Sequence, residues 1–212
     1  MPLVIDIETV GREPEALPPR ALSVLFSRVN APDLPAEELA RRQEELVQRF
    51  ALDPVTGRVV CIGLLDVDSG ATETFCGRDE TRLLELFWDK LGSLRPELFV
   101  TFNGKSFDFP YLNIRSALLE VPPSVPLPIK PFSVTPHFDV REVLASGERG
   151  RSGSLDFFAA IFGLPSPKAK LDGARVGEAF LEGRFEEIQE YCLADCRATA
   201  GLYRRLKPYY FW

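Results

Sequence analysis

Three short motifs hold the side chains from which chemistry could be built. They are Asp6-Ile-Glu8 near the start, Asn103-Gly-Lys-Ser-Phe-Asp108 in the middle and Tyr191-Cys-Leu-Ala-Asp195 near the end. Asp6 and Glu8 stand two apart in an apolar stretch, so on a strand they share a face. Carboxylates among apolar neighbours are costly unless a cation or hydrogen bonds compensate them. Solvated acids at a strand end are the plainer reading, and Asp-x-Glu alone does not choose between the two. Asp108 follows a short apolar strand, the place where sites of α/β proteins collect. Two residues ahead of Pro110, it also reads as a helix N-cap. Tyr191 and Asp195 are four apart on a helical stretch and share a face. They lie on or beside the buried stripe Ile188, Cys192, Thr199, Leu202 and Leu206. Arg197 and Arg204 fall elsewhere on that wheel, so an aspartate here points to a metal ion more than to an internal ion pair.

Taken together, Asp6, Glu8, Asp108 and Asp195 form a ligand set of hard oxygens. Such a set suits Mg²⁺ or Mn²⁺ and not zinc or copper. Four carboxylates exceed the need of one Mg²⁺ and fit two ions, about 3.5–4 Å apart, that clamp a phosphate. Tyr191 would aim the attacking water. With a reference pKa of about 10, its hydroxyl is not expected to act as a free base at neutral pH. The expected chemistry is metal-assisted phosphodiester hydrolysis, with Asp6, Glu8, Asp108, Tyr191 and Asp195 as the catalytic set. His137 is the single histidine, which excludes mechanisms built on a histidine pair or triad.

The elements that must position these groups are readable in outline. Leu3 to Glu8, Val59 to Val67, Thr72 to Cys76 and Leu98 to Phe102 read as strands, with Asp68-Ser-Gly70 as a hairpin turn. Asp79 caps a helix with the stripe Leu84, Phe87, Trp88 and Leu91. Further helices are expected from Pro110, from Ser154 to about Phe162, and from about Phe185 to Leu206. His137 to Leu144 reads as a short strand or as a turn into a helix. Residues 121–136 are proline-rich and read as an irregular loop. Residues 10–58, with six prolines, form an insertion holding one charged helix at about 36–50. The order suggests an α/β chain with a mixed sheet flanked by helices, as a single domain over residues 1–212.

Composition narrows the classes. The chain has 212 residues, 45% of them hydrophobic, enough for one buried core. A net charge of −6 argues against a tight, non-specific duplex binder. It does not oppose a nuclease, because bound cations restore positive charge locally. Cys61, Cys76, Cys192 and Cys196 lack the spacing of a zinc site and read as small buried hydrophobes in a reducing compartment. No run of about 18 apolar residues is available to span a bilayer. The first residues read as a strand and not as a leader, so the expectation is a cytoplasmic protein with no membrane partner.

These motifs, in this order, resemble the DEDD superfamily of 3′–5′ exonucleases. The segments that carry the likeness are Asp6-Ile-Glu8-Thr9, Asn103-Gly104 with Phe107-Asp108, and Tyr191-x-x-x-Asp195. The last is the tyrosine form; the histidine form would place His where Glu190 stands. The pattern is similar to the exonuclease domain of family-B DNA polymerases in stand-alone form. Asp139, Ser154-Leu155-Asp156 and Asp172-Gly173 add support. The resemblance spans residues 1–10 and 59–207. It implies a ribonuclease-H-like fold, two Mg²⁺ or Mn²⁺ ions, and removal of nucleotides from 3′ ends as 5′-monophosphates. Single-stranded DNA is the expected partner, with RNA 3′ ends as the alternative. A non-catalytic nucleic-acid-binding module is a further alternative. With no polymerase following, proofreading within one chain is not expected. The residues expected to touch substrate are Thr9, Asn103, Lys105 and Phe107. Lys105 is placed at a phosphate, and Phe107 or Phe109 against the terminal base. For both phenylalanines core packing is the alternative, and for Lys105 a solvated loop. The long insertion at 10–58 departs from the pattern and bears on substrate choice.

Overall fold

Five strands form one mixed sheet in the order β3-β2-β1-β4-β5. They are β1 Pro2–Gly11, β2 Gly57–Asp66, β3 Thr72–Cys76, β4 Leu98–Thr101 and β5 His137–Asp139. β1, β2 and β3 pair antiparallel, whereas β4 and β5 run parallel to β1. The computed structural model describes residues 1–30, 34–146, 153–167, 171 and 173–211. The expected mixed α/β sheet flanked by helices is therefore observed.

Eight α-helices accompany the sheet among the described residues: α1 Pro19–Ser27, α2 Ala36–Gln48, α3 Glu80–Leu94, α4 Asp108–Leu118, α5 Val140–Leu144, α6 Leu155–Ile161, α7 Val176–Leu181 and α8 Phe185–Leu206. α3 starts where expected because Asp79 accepts a hydrogen bond from Arg82 N. Ser154 caps α6 in the same way through Phe157 N. His137 to Leu144 proves to be both things at once, three residues of β5 followed by α5. The insertion differs from expectation. Besides α2 and a short 3₁₀ turn at Phe50–Leu52, it contains α1. Pro18 and Pro19 stand at the N-cap and the first position of α1, where proline is tolerated. Leu22, Leu25 and Phe26 then give α1 its partly buried side. α7 was not expected either.

The alternation along β1 separates two cores. Leu3, Ile5 and Ile7 pack with Leu84, Phe87, Trp88 and Leu91 of α3 and with Phe109, Tyr111 and Leu112 of α4. Val4, on the other face, joins Val100, Phe138 and the α8 residues Cys196, Ala200 and Tyr203. Val10, on that same face, joins Val60, Ile188 and Cys192. Asp6 and Glu8 occupy the two positions between Val4 and Val10, directly beneath α8. A hydrophobic sheet face would place aliphatic side chains there.

Candidate active site

The β1–β4 ladder is short. It pairs Pro2, Leu3 and Val4 with Leu98, Phe99 and Val100, after which the strands part. The backbone N–H of Ile7 is left to another partner and donates to Asp108 Oδ1 at 3.2 Å. Asp108 thus does not cap α4. The N-cap position is Phe107, with no side-chain bond, and the Asp108 carboxylate reaches back to β1. This brings the second motif against the first in the crevice beyond the carboxyl ends of β1 and β4.

The turn that delivers Asp108 is held from β5. Asp139 accepts hydrogen bonds from Asn103 N (2.9 Å) and Lys105 N (3.0 Å), and from Glu142 N (3.2 Å) as the cap of α5. Asn103 adopts φ 71°, a left-handed conformation that asparagine tolerates. A Cβ on Gly104 would lie 2.5 Å from the Thr101 side chain. The Thr101 hydroxyl accepts from Gly104 N at 3.1 Å and is 2.7 Å from His137 Nε2. His137 Nδ1 lies 2.7 Å from the Pro128 carbonyl, an acceptor, so this nitrogen carries the proton. Burial holds the imidazole pKa down at about 4, leaving a neutral strut below the turn.

The third motif arrives on α8, whose approach to the sheet depends on Gly63. A Cβ there would meet Cys192 Sγ at 2.7 Å and Cys196 Sγ at 3.0 Å. Gly63 is the partner of Asp6 in the β1–β2 register, so the close approach falls at the carboxylates. Cys192 Sγ donates to the Asp6 backbone carbonyl (3.5 Å) and to Asp6 Oδ2 (3.4 Å). Ligand atoms of Asp6, Glu8 and Cys192 all lie within 4.8 Å of one another.

Asp6, Glu8, Asp108, Tyr191 and Asp195 share one cavity of about 550 Å³ with Asn103 and Phe107. Its electrostatics are those of crowded acids. Burial, reinforced by Asp195, pushes the carboxyl groups of Asp6 and Glu8 well above the usual carboxylate range. Burial likewise raises Asp108 to about 7. Among the described residues no lysine or arginine pairs with Asp6, Glu8 or Asp108. An oxygen-rich, anionic crevice of this kind fits hard divalent cations. Asp6, Glu8, Asp108 and Asp195 are the carboxylates that would hold them, and the added charge would relieve the repulsion.

Two residues expected to touch substrate face elsewhere. Thr9 follows a β-bulge after Glu8 and lies one step out of phase with Glu8. Its hydroxyl donates to Ala51 O at 2.8 Å, away from the cavity. Lys105 is not a phosphate ligand in this arrangement. Its side chain is 5% exposed, and its ammonium pairs with Glu142 and donates to Ser133 O at 2.7 Å. A buried ammonium needs such partners. Phe109 is fully buried against Phe99 and His137, so of the two phenylalanines only Phe107 lines the cavity. Asp172 lies outside the described residues. Two contributors were not anticipated. Arg141 lines the cavity and donates to Asn103 Oδ1 at 2.8 Å. Cys192, read as a simple hydrophobe, touches Asp6. Neither residue type signals such a contact from its local sequence.

Comparison with known proteins agrees with this geometry. The family model described as RNase_H superfamily matches residues 51–207. A DNA polymerase of Pyrococcus glycovorans is 26% identical over 148 residues, and one of Desulfurococcus sp. (strain Tok) is 26% identical over 144 residues. Each match covers 61% of this chain and 18% of the polymerase, so the chain corresponds to less than a fifth of either relative. The family B DNA polymerase of the hyperthermophilic archaeon Pyrobaculum calidifontis superposes with a TM-score of 0.66 at 21% identity, over 98% of this chain and 24% of that one. At that identity the likeness is one of fold.

Proposed function

The chain belongs to the ribonuclease H superfamily, and from that membership and its carboxylate cluster we propose that it is a divalent-metal-dependent 3′–5′ exonuclease. In this reading it removes 5′-monophosphates from the 3′ end of single-stranded DNA. The observation that carries the reading is the convergence of Asp6, Glu8, Asp108, Asp195 and Tyr191, from three distant segments, in one cavity. The likeness to polymerases supports a nucleic-acid substrate, and the site supports hydrolysis.

Asp6, Glu8, Asp108 and Asp195 would hold two Mg²⁺ or Mn²⁺ ions. Bound there, the ions would supply Lewis-acid stabilisation of the phosphoryl oxygens and activation of water. The chain's own residues do the positioning. Tyr191 offers its hydroxyl to orient the attacking water. Phe107, half-buried at the cavity wall, offers a face to the terminal base. Asn103 is fixed by Arg141 and by Asp139 and offers its remaining amide donors to the strand. The hydrogen bond from Ile7 N keeps the Asp108 carboxylate aimed at β1.

The test is digestion of 5′-labelled and 3′-labelled single-stranded DNA and RNA with Mg²⁺ or Mn²⁺. The proposal expects a ladder from the 5′-labelled strand, a released mononucleotide from the 3′-labelled one, and neither in chelator. Internal cuts would contradict the polarity. Cleavage of RNA alone would replace the substrate, and no cleavage of either would leave a binding module.

A further inference from the structure

A cavity of about 1240 Å³, larger than the carboxylate crevice, lies where the insertion folds over the ends of β1 and β2. α1 forms one wall, and the start of α3 with the end of α4 forms another. Six arginines line it: Arg12, Arg20, Arg28, Arg58, Arg78 and Arg115. Arg115 is neutralised by Glu80 at 2.7 Å. The other five make no ion pair among the described residues. Of the acids in the lining, that leaves Asp79, which is engaged in capping α3. A chain of net charge −6 therefore gathers in one groove five guanidinium groups that have no ion pair among the described residues.

Several of these groups are held in place. Arg58 and Arg78 lie over the Phe180 ring, 5.4 and 5.2 Å from its centroid. Arg58 also donates to Arg78 O, and Arg78 to Leu181 O at 3.0 Å. Arg12 donates to Ala16 O. Arg20 and Arg28, at the two ends of α1, are exposed. Between them the groove presents Val24, Val55 and Leu118, each about half exposed at 52%, 48% and 53%. Guanidinium groups over an apolar floor match a chain of phosphates that also carries sugar and base faces.

The groove and the crevice share two elements. β1 carries Glu8 in the crevice and leads into Arg12 in the groove, one residue past its end, and four extended residues span roughly 13 Å. α4 carries Asp108 in the crevice and Arg115 in the groove, seven residues or roughly 10 Å along a helix. One polymer can reach both. The α1 wall lies outside residues 51–207, the part covered by the family match, whereas Arg58, Arg78 and Arg115 lie within it.

We propose that this arginine groove is a second nucleic-acid subsite, which grips the phosphodiester backbone of a single strand whose 3′ end lies at the carboxylates. The inference rests on the exonuclease reading for the direction of the strand. Phosphate contacts there add affinity and processive hold without touching the reacting bond.

The experiment compares wild type with the Arg20→Gln/Arg28→Gln variant, whose side chains lie outside the carboxylate site. Binding of 5′-fluorescein oligothymidylates, from about 4 to about 20 nucleotides, is read by anisotropy in chelator, where no cleavage occurs. The proposal expects weaker binding of the long strands, by about tenfold or more at low salt. It also expects a log–log salt slope smaller by about 1.4, at 0.7 per lost single-strand contact. The shortest strand is expected to bind and to be cleaved equally by both proteins. Equal affinity and slope for long strands would overturn the groove even if cleavage is robust. Arginine-dependent binding without cleavage in Mg²⁺ or Mn²⁺ would keep the groove and sink the exonuclease reading. Poly-L-glutamate binding that depends on these arginines, with strand binding unaffected, would assign the groove to an acidic polypeptide and overturn the proposal.

Discussion

Glu80 and Asp108 are both buried acids beside α4, at 6% and 4% exposure, yet they are treated in opposite ways. Glu80 accepts from Arg115 Nε and Nη2, at 2.8 and 2.7 Å, and also from Val59 N at 2.7 Å. Asp108 receives one backbone N–H from Ile7 and faces other carboxylates. The first arrangement is closed, since its charge is met inside the chain. The second is open, since Asp6, Glu8 and Asp108 are crowded together and raised in pKa. Similar burial therefore carries different meaning, and the partner decides it. A paired buried acid ties elements together, whereas an unpaired cluster points to a cation supplied from outside.

That contrast can be broken most forcefully at Asp108. Asp108→Asn keeps an acceptor for Ile7 N and removes one metal-binding charge. Cleavage of single-stranded DNA is expected to fall by about a thousandfold or more, with circular dichroism unchanged. Substantial metal-dependent cleavage by the folded variant would remove Asp108 from the site. At the closed arrangement the effect moves to stability. Arg115→Ala leaves Glu80 buried without its cation, and urea denaturation should show a loss of about 3–5 kcal/mol. A loss below about 1 kcal/mol would mean that the pair is solvated like a surface one. Tyr191→Phe is a smaller probe, expected to slow turnover by roughly tenfold while metal affinity is retained. An unchanged rate would take the hydroxyl out of the mechanism.

A pH series sharpens the same contrast without mutation. Asp6, Glu8 and Asp108 have pKa values raised in the folded state above the unfolded value of about 4. Protonation therefore stabilises the fold, and that contribution is complete below about pH 4. It is lost as pH rises through about 7 for Asp108, and as Asp6 and Glu8, also raised by burial, ionise. In chelator, the Tm is expected to fall from pH 5 to pH 8, and Mn²⁺ should restore it most at pH 8. A Tm in chelator that rises steadily over this range would contradict the electrostatics described for the crevice.

Much of this contrast was legible in the chain. The period of two in β1 placed Asp6 and Glu8 on one face, and the i, i+4 spacing placed Tyr191 beside Asp195, because both depend on local geometry. The interruption after β4 marked Asp108. What local pattern could not show was which non-local partner a polar group would find. Lys105 looked like a loop cation beside a site, but Glu142, thirty-seven positions away, had already engaged it. Thr9 looked like part of the first motif, but the bulge after Glu8 and the alternation of the strand turn it to Ala51. Asp139 read at most as support and Arg141 not at all, yet Asp139 holds the turn that delivers Asp108 and Arg141 ties its Asn103. The insertion read as holding one helix at about 36–50; α1 lies outside that range, and its leading Pro18 and Pro19 fit the start of a helix.

The most direct test of the central claim is calorimetric titration of the metal-free protein with Mn²⁺ at pH 8, wild type beside Asp108→Asn. Saturable binding in the wild type, at one or two ions per chain and strongly weakened in the variant, is the predicted result. No saturable Mn²⁺ binding to the folded wild type, or identical isotherms for the two proteins, would contradict it.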